Sequence, residues 1–218
     1  YLKIKMNMKK KLLEFLKNLP LMDLGTGSKR HITKSKQIAL KYAKEFYKPQ
    51  AKVLDLGCGD GFWSEKLKQI GYQVVSSDAE KKYPDCRIID ANLPLPFPDN
   101  VFNLVWSLDV IEHLASPQNI IQEIKRVLKP EGAFILTTPN SYFWLYSISK
   151  IFGLSPKDMQ RKDHQHFFHY NDIKKLFPDS RIYGYFCYTA PLKFKIKNSW
   201  LVSKLSPTFV IVSMTSLK

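Results

Sequence analysis

Residues 53–61 read VLDLGCGDG, and this stretch limits the fold more than any other. Val53–Leu56 reads as a short buried strand. Three alternating glycines follow, and then Phe62–Ile70 reads as a helix closed by Gly71. Glycines between a strand and a helix permit a tight turn and let a ligand approach the backbone. Such a turn belongs to a sheet whose strands end at a shared ligand-binding edge. The spacing is G-x-G-x-G, which differs from the G-x-G-x-x-G of dinucleotide binders.

The residues that follow repeat the alternation. Strands are predicted at Gln73–Ser77, Arg87–Asp90, Phe102–Ser107 and Ala133–Thr138. A helix is expected from Asp109 to about Leu128, and a turn at Lys129-Pro130-Glu131-Gly132. Alternating strands and helices imply an α/β chain with a mostly parallel sheet covered on both faces. Beyond Pro139 the expectation is a mixed cap insertion near residues 140–165, a helix near Asn171–Phe177 and a strand within Arg181–Ala190. A basic connector and a last strand at Phe209–Ser213 complete the reading. Ahead of the sheet, residues 8–19 place Leu12, Phe15, Leu16 and Leu19 on one helical face, residues 21–33 read as a loop, and residues 35–47 form another helix. The expected division is a basic helical arm over 1–48 and one domain over 49–218, a length suited to a single core.

Charge matters chiefly in that arm. Residues 1–48 hold 13 Lys/Arg against 3 Asp/Glu, +10 of the net +15. A basic arm attracts nucleic acid, a phosphorylated substrate or an anionic membrane surface, and it is equally what a lysine-rich solvated surface looks like. No apolar run approaches the ~20 residues of a membrane span. Polar residues interrupt the start of the chain, which therefore does not read as a signal peptide. Three widely spaced cysteines, Cys58, Cys86 and Cys187, suggest neither a disulfide framework nor a zinc site and fit a reducing cytoplasm.

Three carboxylates stand at three successive strand ends. Asp55 precedes the first glycine of the turn by two residues. A carboxylate there opposes a pyrophosphate but suits a ligand carrying an ammonium and a sulfonium. Asp78 ends the second strand, where a carboxylate can accept hydrogen bonds from both hydroxyls of a ribose. Asp90 ends the third and can accept from an adenine amino group. Each alone could equally be a turn or capping aspartate.

VLDLGCGDG, VVSSDAE, IIDANLPLPFPDNVFNLVWSLDVIEHL and IKRVLKPEGAFILTTPN, in this order over roughly residues 50–140, resemble the motifs of class I S-adenosylmethionine methyltransferases. The resemblance implies a Rossmann-like, seven-stranded sheet with its last strand antiparallel. It implies that Asp55, Gly57 and Gly59 surround the amino acid part of S-adenosylmethionine, with Cys58 in the same turn. Asp78, next to Ala79, would hold the ribose, Asp90 and Ala91 would border the adenine, and Leu108 would lie beside the methionine chain. One departure is that only about nine residues separate Asp78 from the third strand, so the helix usual there is nearly absent and the adenine side is expected to be more open.

Methyl transfer from a sulfonium needs alignment and exclusion of water, and a base when the acceptor is a hydroxyl. On a helix from Asp109, residues Asp109, Glu112 and His113 would share one face and could offer a divalent ion such as magnesium two carboxylates and an imidazole. The competing reading is a capping box with Asp109 as N-cap and Glu112 as its partner. DHQHFFHY over Asp163–Tyr170 holds three histidines, of which His164 could serve, with His113, as a base or further ligand. LDVIEHL, TTPN and DHQHFF together resemble ubiquinone-pathway O-methyltransferases and small-RNA terminal 2′-O-methyltransferases. The aromatics of the insertion, among them Tyr142, Trp144 and Tyr146, suit a lid over a planar acceptor or simple packing. The leading expectation is O-methylation of a small-molecule hydroxyl. The alternative is RNA ribose methylation, and no RNA-binding module is recognisable beside it.

Overall fold

The computed structural model describes residues 33–151, 153–186 and 194–214, together with Lys11. The helix expected over 8–19 and the loop over 21–33 therefore lie almost wholly outside the described residues. Eight strands form one sheet: β1 (Lys52–Leu56), β2 (Gln73–Asp78), β3 (Arg87–Ile88), β4 (Phe102–Leu108), β5 (Leu128–Pro139), β6 (Arg181–Phe186), β7 (Phe194–Ile196) and β8 (Thr208–Met214). Their spatial order is β3-β2-β1-β4-β5-β8-β6-β7. The first five are parallel, and β8 runs antiparallel between β5 and β6. The antiparallel last strand is thus as expected. The sheet has one strand more than the seven anticipated, because β7 extends the edge beyond β6 from within the basic connector.

Alternation along the strands divides the core between two faces. Val53, Leu104, Trp106, Ile135 and Val210 point towards α1 (Lys34–Glu45) and α2 (Phe62–Ile70). Leu54, Val105, Phe134 and Ile211 point towards α3 (Pro117–Val127), α6 (Tyr170–Leu176) and α7 (Ser199–Leu205). Two further helices, α4 (Trp144–Ile151) and α5 (Pro156–Met159), occupy the insertion after β5. α1, the described part of the N-terminal arm, is capped by Thr33 and buries Ile38, Ala39, Tyr42 and Ala43 against the sheet.

The helix expected over Asp109–Leu128 is shorter than read. Asp109 has a left-handed φ of 57°, Ile111–His113 is one 3-10 turn, and α3 begins only at Pro117 with Ser116 as N-cap. Proline suits the first turn of a helix, where its missing N–H costs nothing, and disfavours helical backbone in the residue before it. A capping box of Asp109 and Glu112 is therefore ruled out. The turn expected at Lys129–Gly132 is an irregularity inside β5, where pairing with β4 slips between Phe102–Leu128 and Leu104–Ala133.

The short β2–β3 connection, which lacks a helix as expected, is pinned to α2. Lys68 on α2 donates to Asp85 at 2.7 Å and Tyr83 at 2.7 Å, and Tyr83 donates to Glu65. The Tyr83 ring lies over Gly61, which has φ +82°, and a Cβ there would stand 2.2 Å from the ring. Gly61→Ala therefore combines backbone strain with displacement of Tyr83. It is expected to lower stability by about 1–3 kcal/mol in urea denaturation. An unchanged midpoint would show that the ring is not held there.

Candidate active site

The carboxyl ends of β1, β2 and β4 open on one cleft of about 830 Å³. The nine residues read as cofactor contacts, Asp55, Gly57, Cys58, Gly59, Asp78, Ala79, Asp90, Ala91 and Leu108, all line it. So do Asp109, Glu112, His113 and His164.

The turn after β1 is held by its neighbour strand. Gly57 N–H and Cys58 N–H both donate to the Ser77 carbonyl, at 2.8 and 2.9 Å. Gly59 N–H donates to Asp78 Oδ2 at 2.8 Å, and Glu80 N–H donates to Asp78 Oδ1 at 3.2 Å. Each Asp78 oxygen keeps a second lone pair for a ligand hydroxyl. Gly59 has φ +56°, and among the described residues nothing lies within 4 Å of where its Cβ would stand, so a side chain there would point into open space. Asp90 Oδ1 accepts from the backbone and side-chain nitrogens of Asn92, both at 2.9 Å, which is the turn role weighed for it.

Asp55 is buried at the floor, and its Oδ2 accepts from Ser64 Oγ at 2.5 Å. Burial, against the pull of the Ser64 hydrogen bond and with the like charge of Asp78, pushes its carboxyl up to about 7. Burial also raises the Cys58 thiol, which stays protonated and therefore unreactive.

Asp109 does not share a face with Glu112 and His113. Its Oδ1 accepts from Thr137 Oγ1 at 2.6 Å, and its Oδ2 pairs with Lys36 Nζ of α1 at 2.9 Å. In its place the fold brings His164 from the insertion. Glu112, His113 and His164 offer ligand atoms that all lie within 4.8 Å of one another. Glu112 is 1% exposed, its Oε2 accepts from Thr138 Oγ1 at 3.0 Å, and its Oε1 has no hydrogen-bond partner among the described residues. Burial, with Asp109 nearby, raises its carboxyl well above the ordinary range.

His164 sits edge-on to His113 with ring centroids 4.7 Å apart, and burial lowers its imidazole to about 4. Its Nδ1 meets Gln160 Oε1 at 3.1 Å, so Nδ1 carries the proton and Nε2 keeps its lone pair. Two backbone bonds, from Gln165 and His166 N–H to the Glu112 carbonyl at 2.8 and 3.0 Å, fasten the insertion to the 3-10 turn.

The reading from sequence missed Gln160, Lys36, Ser64, Thr137 and Thr138. The two threonines stood in the quoted TTPN motif, whereas the others are ordinary polar residues on helices or loops with no local signal.

The result is a Rossmann-like domain with a cleft at the carboxyl edge of its sheet. Residues 54–136 match the family model described as a methyltransferase domain. Over 97 residues the chain is 34% identical to a probable S-adenosylmethionine-dependent methyltransferase of Mycolicibacterium smegmatis, covering 40% of this chain and 38% of the relative. Over 121 residues it is 28% identical to a ubiquinone biosynthesis O-methyltransferase of Roseobacter denitrificans, covering 48% and 49%. The matches thus span about half or less of these relatives' length. Among solved structures, a methyltransferase dependent on S-adenosylmethionine from Archaeoglobus fulgidus superposes with a TM-score of 0.61 at 16% identity, covering 85% of this chain and 96% of that one. Residues 54–136 are thus similar to a methyltransferase domain, set in a fold that solved methyltransferase structures share. Among the described residues no helix is long and apolar enough to cross a membrane.

Proposed function

We propose that this protein transfers the methyl group of S-adenosylmethionine to a hydroxyl of a small molecule. The observation that carries the reading is one cleft running from the glycine turn at Asp55–Gly61 to the cluster of Glu112, His113 and His164. The sulfonium of the bound cofactor supplies an already activated methyl group. The chain supplies position. Asp55, Gly57, Cys58 and Gly59 hold the amino acid part, Asp78 with Ala79 the ribose, Asp90 with Ala91 the adenine edge, and Leu108 the methionine chain. The open face of Gly59 and the free lone pairs of Asp78 fit such a ligand.

A hydroxyl acceptor must lose its proton as the new bond forms. Neutral His164, with Nε2 free and Nδ1 held by Gln160, can take it. Alternatively, Glu112, His113 and His164 would hold a divalent ion, with His164 Nε2 as a ligand in place of a base, and the ion would supply a lowered pKa at the acceptor hydroxyl. Two imidazoles and one carboxylate form a softer donor set than the two carboxylates and one imidazole expected from sequence. They favour manganese, cobalt or zinc over magnesium. The segment after β5 serves as the cap on the acceptor side, since Tyr146, Gln160 and His164 all line the cleft. A small-molecule hydroxyl is also what the ubiquinone-pathway relatives suggest.

Trp63 and Trp106 line the cleft, so intrinsic fluorescence should report cofactor binding. Asp78→Ala should weaken S-adenosylhomocysteine binding by about 1.5–3 kcal/mol, through lost hydrogen bonds to a charged acceptor. Unchanged affinity by calorimetry would remove Asp78 from the site. Transfer of a labelled methyl group across a panel of phenols, amines and RNA tests the acceptor, and label appearing only on nitrogen or on RNA would overturn the hydroxyl reading.

A further inference from the structure

Ser64, already seen on Asp55, is joined beneath the cleft by a second buried serine, Ser76. Asp55 and Ser76 are register partners on β1 and β2 and point to the same face of the sheet. Ser64, in the first turn of α2, lies above both. Ser76 Oγ donates to Ser64 Oγ at 2.8 Å, and Ser64 Oγ donates to Asp55 Oδ2 at 2.5 Å. Neither serine lines the cleft, whereas Asp55 does. A hydroxyl carries one proton. A chain that ends on an acceptor-only carboxylate must therefore hand both protons towards Asp55.

We propose that Ser64 and Ser76 are positioning residues, a relay that keeps Asp55 as the carboxylate receiving the cofactor's ammonium group and makes cofactor uptake pH-dependent. The proposal rests on the cofactor assignment above.

Among the described residues, the surroundings of Asp55 leave this role to the serines. From β2, Asp78 faces it with a like charge. From β4, its register partner is the uncharged Trp106, and α2 brings Trp63 against that indole. From the turn comes the protonated Cys58. From α1, the cation at the cleft is Lys36, which is paired with Asp109. On α2, Glu65 and Lys68 are engaged with Tyr83 on the outer side. A buried carboxylate in this setting keeps its charge only with bound donors, and burial already holds it near 7. The ligand's ammonium completes its neutralisation. Binding that requires the carboxylate weakens by the fraction protonated, about tenfold per pH unit once well below the midpoint.

The test compares two ligands by calorimetry between about pH 8 and pH 6. S-adenosylhomocysteine carries the ammonium, and 5′-methylthioadenosine is the same nucleoside without the amino acid. Expected is a roughly tenfold loss of affinity for the first over this range and a flat profile for the second. Ser64→Ala should move the midpoint upward and weaken S-adenosylhomocysteine at least about threefold near pH 7, with methylthioadenosine unchanged. Ser76→Ala should give a smaller shift in the same direction. Parallel profiles for the two ligands in the wild-type protein would overturn the relay while leaving the cofactor assignment standing, and this comparison needs no variant to fold. A Ser64→Ala profile that matches the wild type would also overturn it. Binding of neither ligand would overturn the cofactor assignment and the relay with it.

Discussion

Asn at position 55 is expected to make the ligand-free protein more stable and to remove most of its cofactor affinity. The carboxyl of Asp55 lies near 7 in the folded chain, raised from 3.8 chiefly by burial. A carboxyl raised on folding lowers stability as pH rises from the unfolded value through the folded one. At about pH 8 this penalty reaches up to about 4 kcal/mol, from 1.36 kcal/mol per pKa unit. Asp55→Asn removes the charge and keeps an oxygen for Ser64. The variant should therefore melt several degrees higher at about pH 8, at roughly 2–4 °C per kcal/mol, with the gain shrinking towards zero near pH 4. Affinity for S-adenosylhomocysteine should fall by roughly 10- to 150-fold as the partner of the ammonium is lost. Destabilisation at every pH would show that the carboxylate is held by more than the Ser64 bond.

The cluster of Glu112, His113 and His164 gives the second large effect. If it holds a divalent ion against the acceptor, chelation and Glu112→Gln should each lower turnover on the order of 10²–10³-fold, the several kcal/mol that such an ion supplies. S-adenosylhomocysteine affinity should stay within about twofold, because a site for the acceptor oxygen is separate from the methionine and adenosine contacts. Manganese should raise the melting temperature of the wild-type protein and leave that of Glu112→Gln unmoved. If the cluster only packs the cap, the outcomes reverse. Glu112→Gln keeps the Thr138 hydrogen bond, sheds a buried carboxyl and gains stability, and turnover survives excess chelator. Full activity in chelator, with no metal shift on melting, would reject the ion.

The glycine-turn side of the cleft was legible because its signals are local. Glycine spacing, a two-residue alternation of apolar positions and a carboxylate at each strand end need only neighbouring residues to be read. Gly71 ended α2 where expected, with its N–H on the Lys68 carbonyl. The misread helix after β4 also had a local signal. Ser116-Pro117 is an N-cap followed by a first-turn proline, a signal masked by the continuous apolar pattern around it.

By itself, then, the sequence determined a parallel α/β sheet, its glycine turn and the aspartates along its edge, since each follows from backbone geometry within a few residues. Only the tertiary structure decided what gathers around Glu112 at the other end of the cleft. It turned Asp109 away onto Thr137 and Lys36 through a left-handed backbone. It laid a segment some 50 residues downstream against Glu112, through backbone bonds that no periodicity announces. It also placed Ser64 and Ser76 under Asp55, because packing a helix on a sheet selects side chains by position in space. Contacts of that kind arise from the whole core closing at once, and a linear pattern does not carry them.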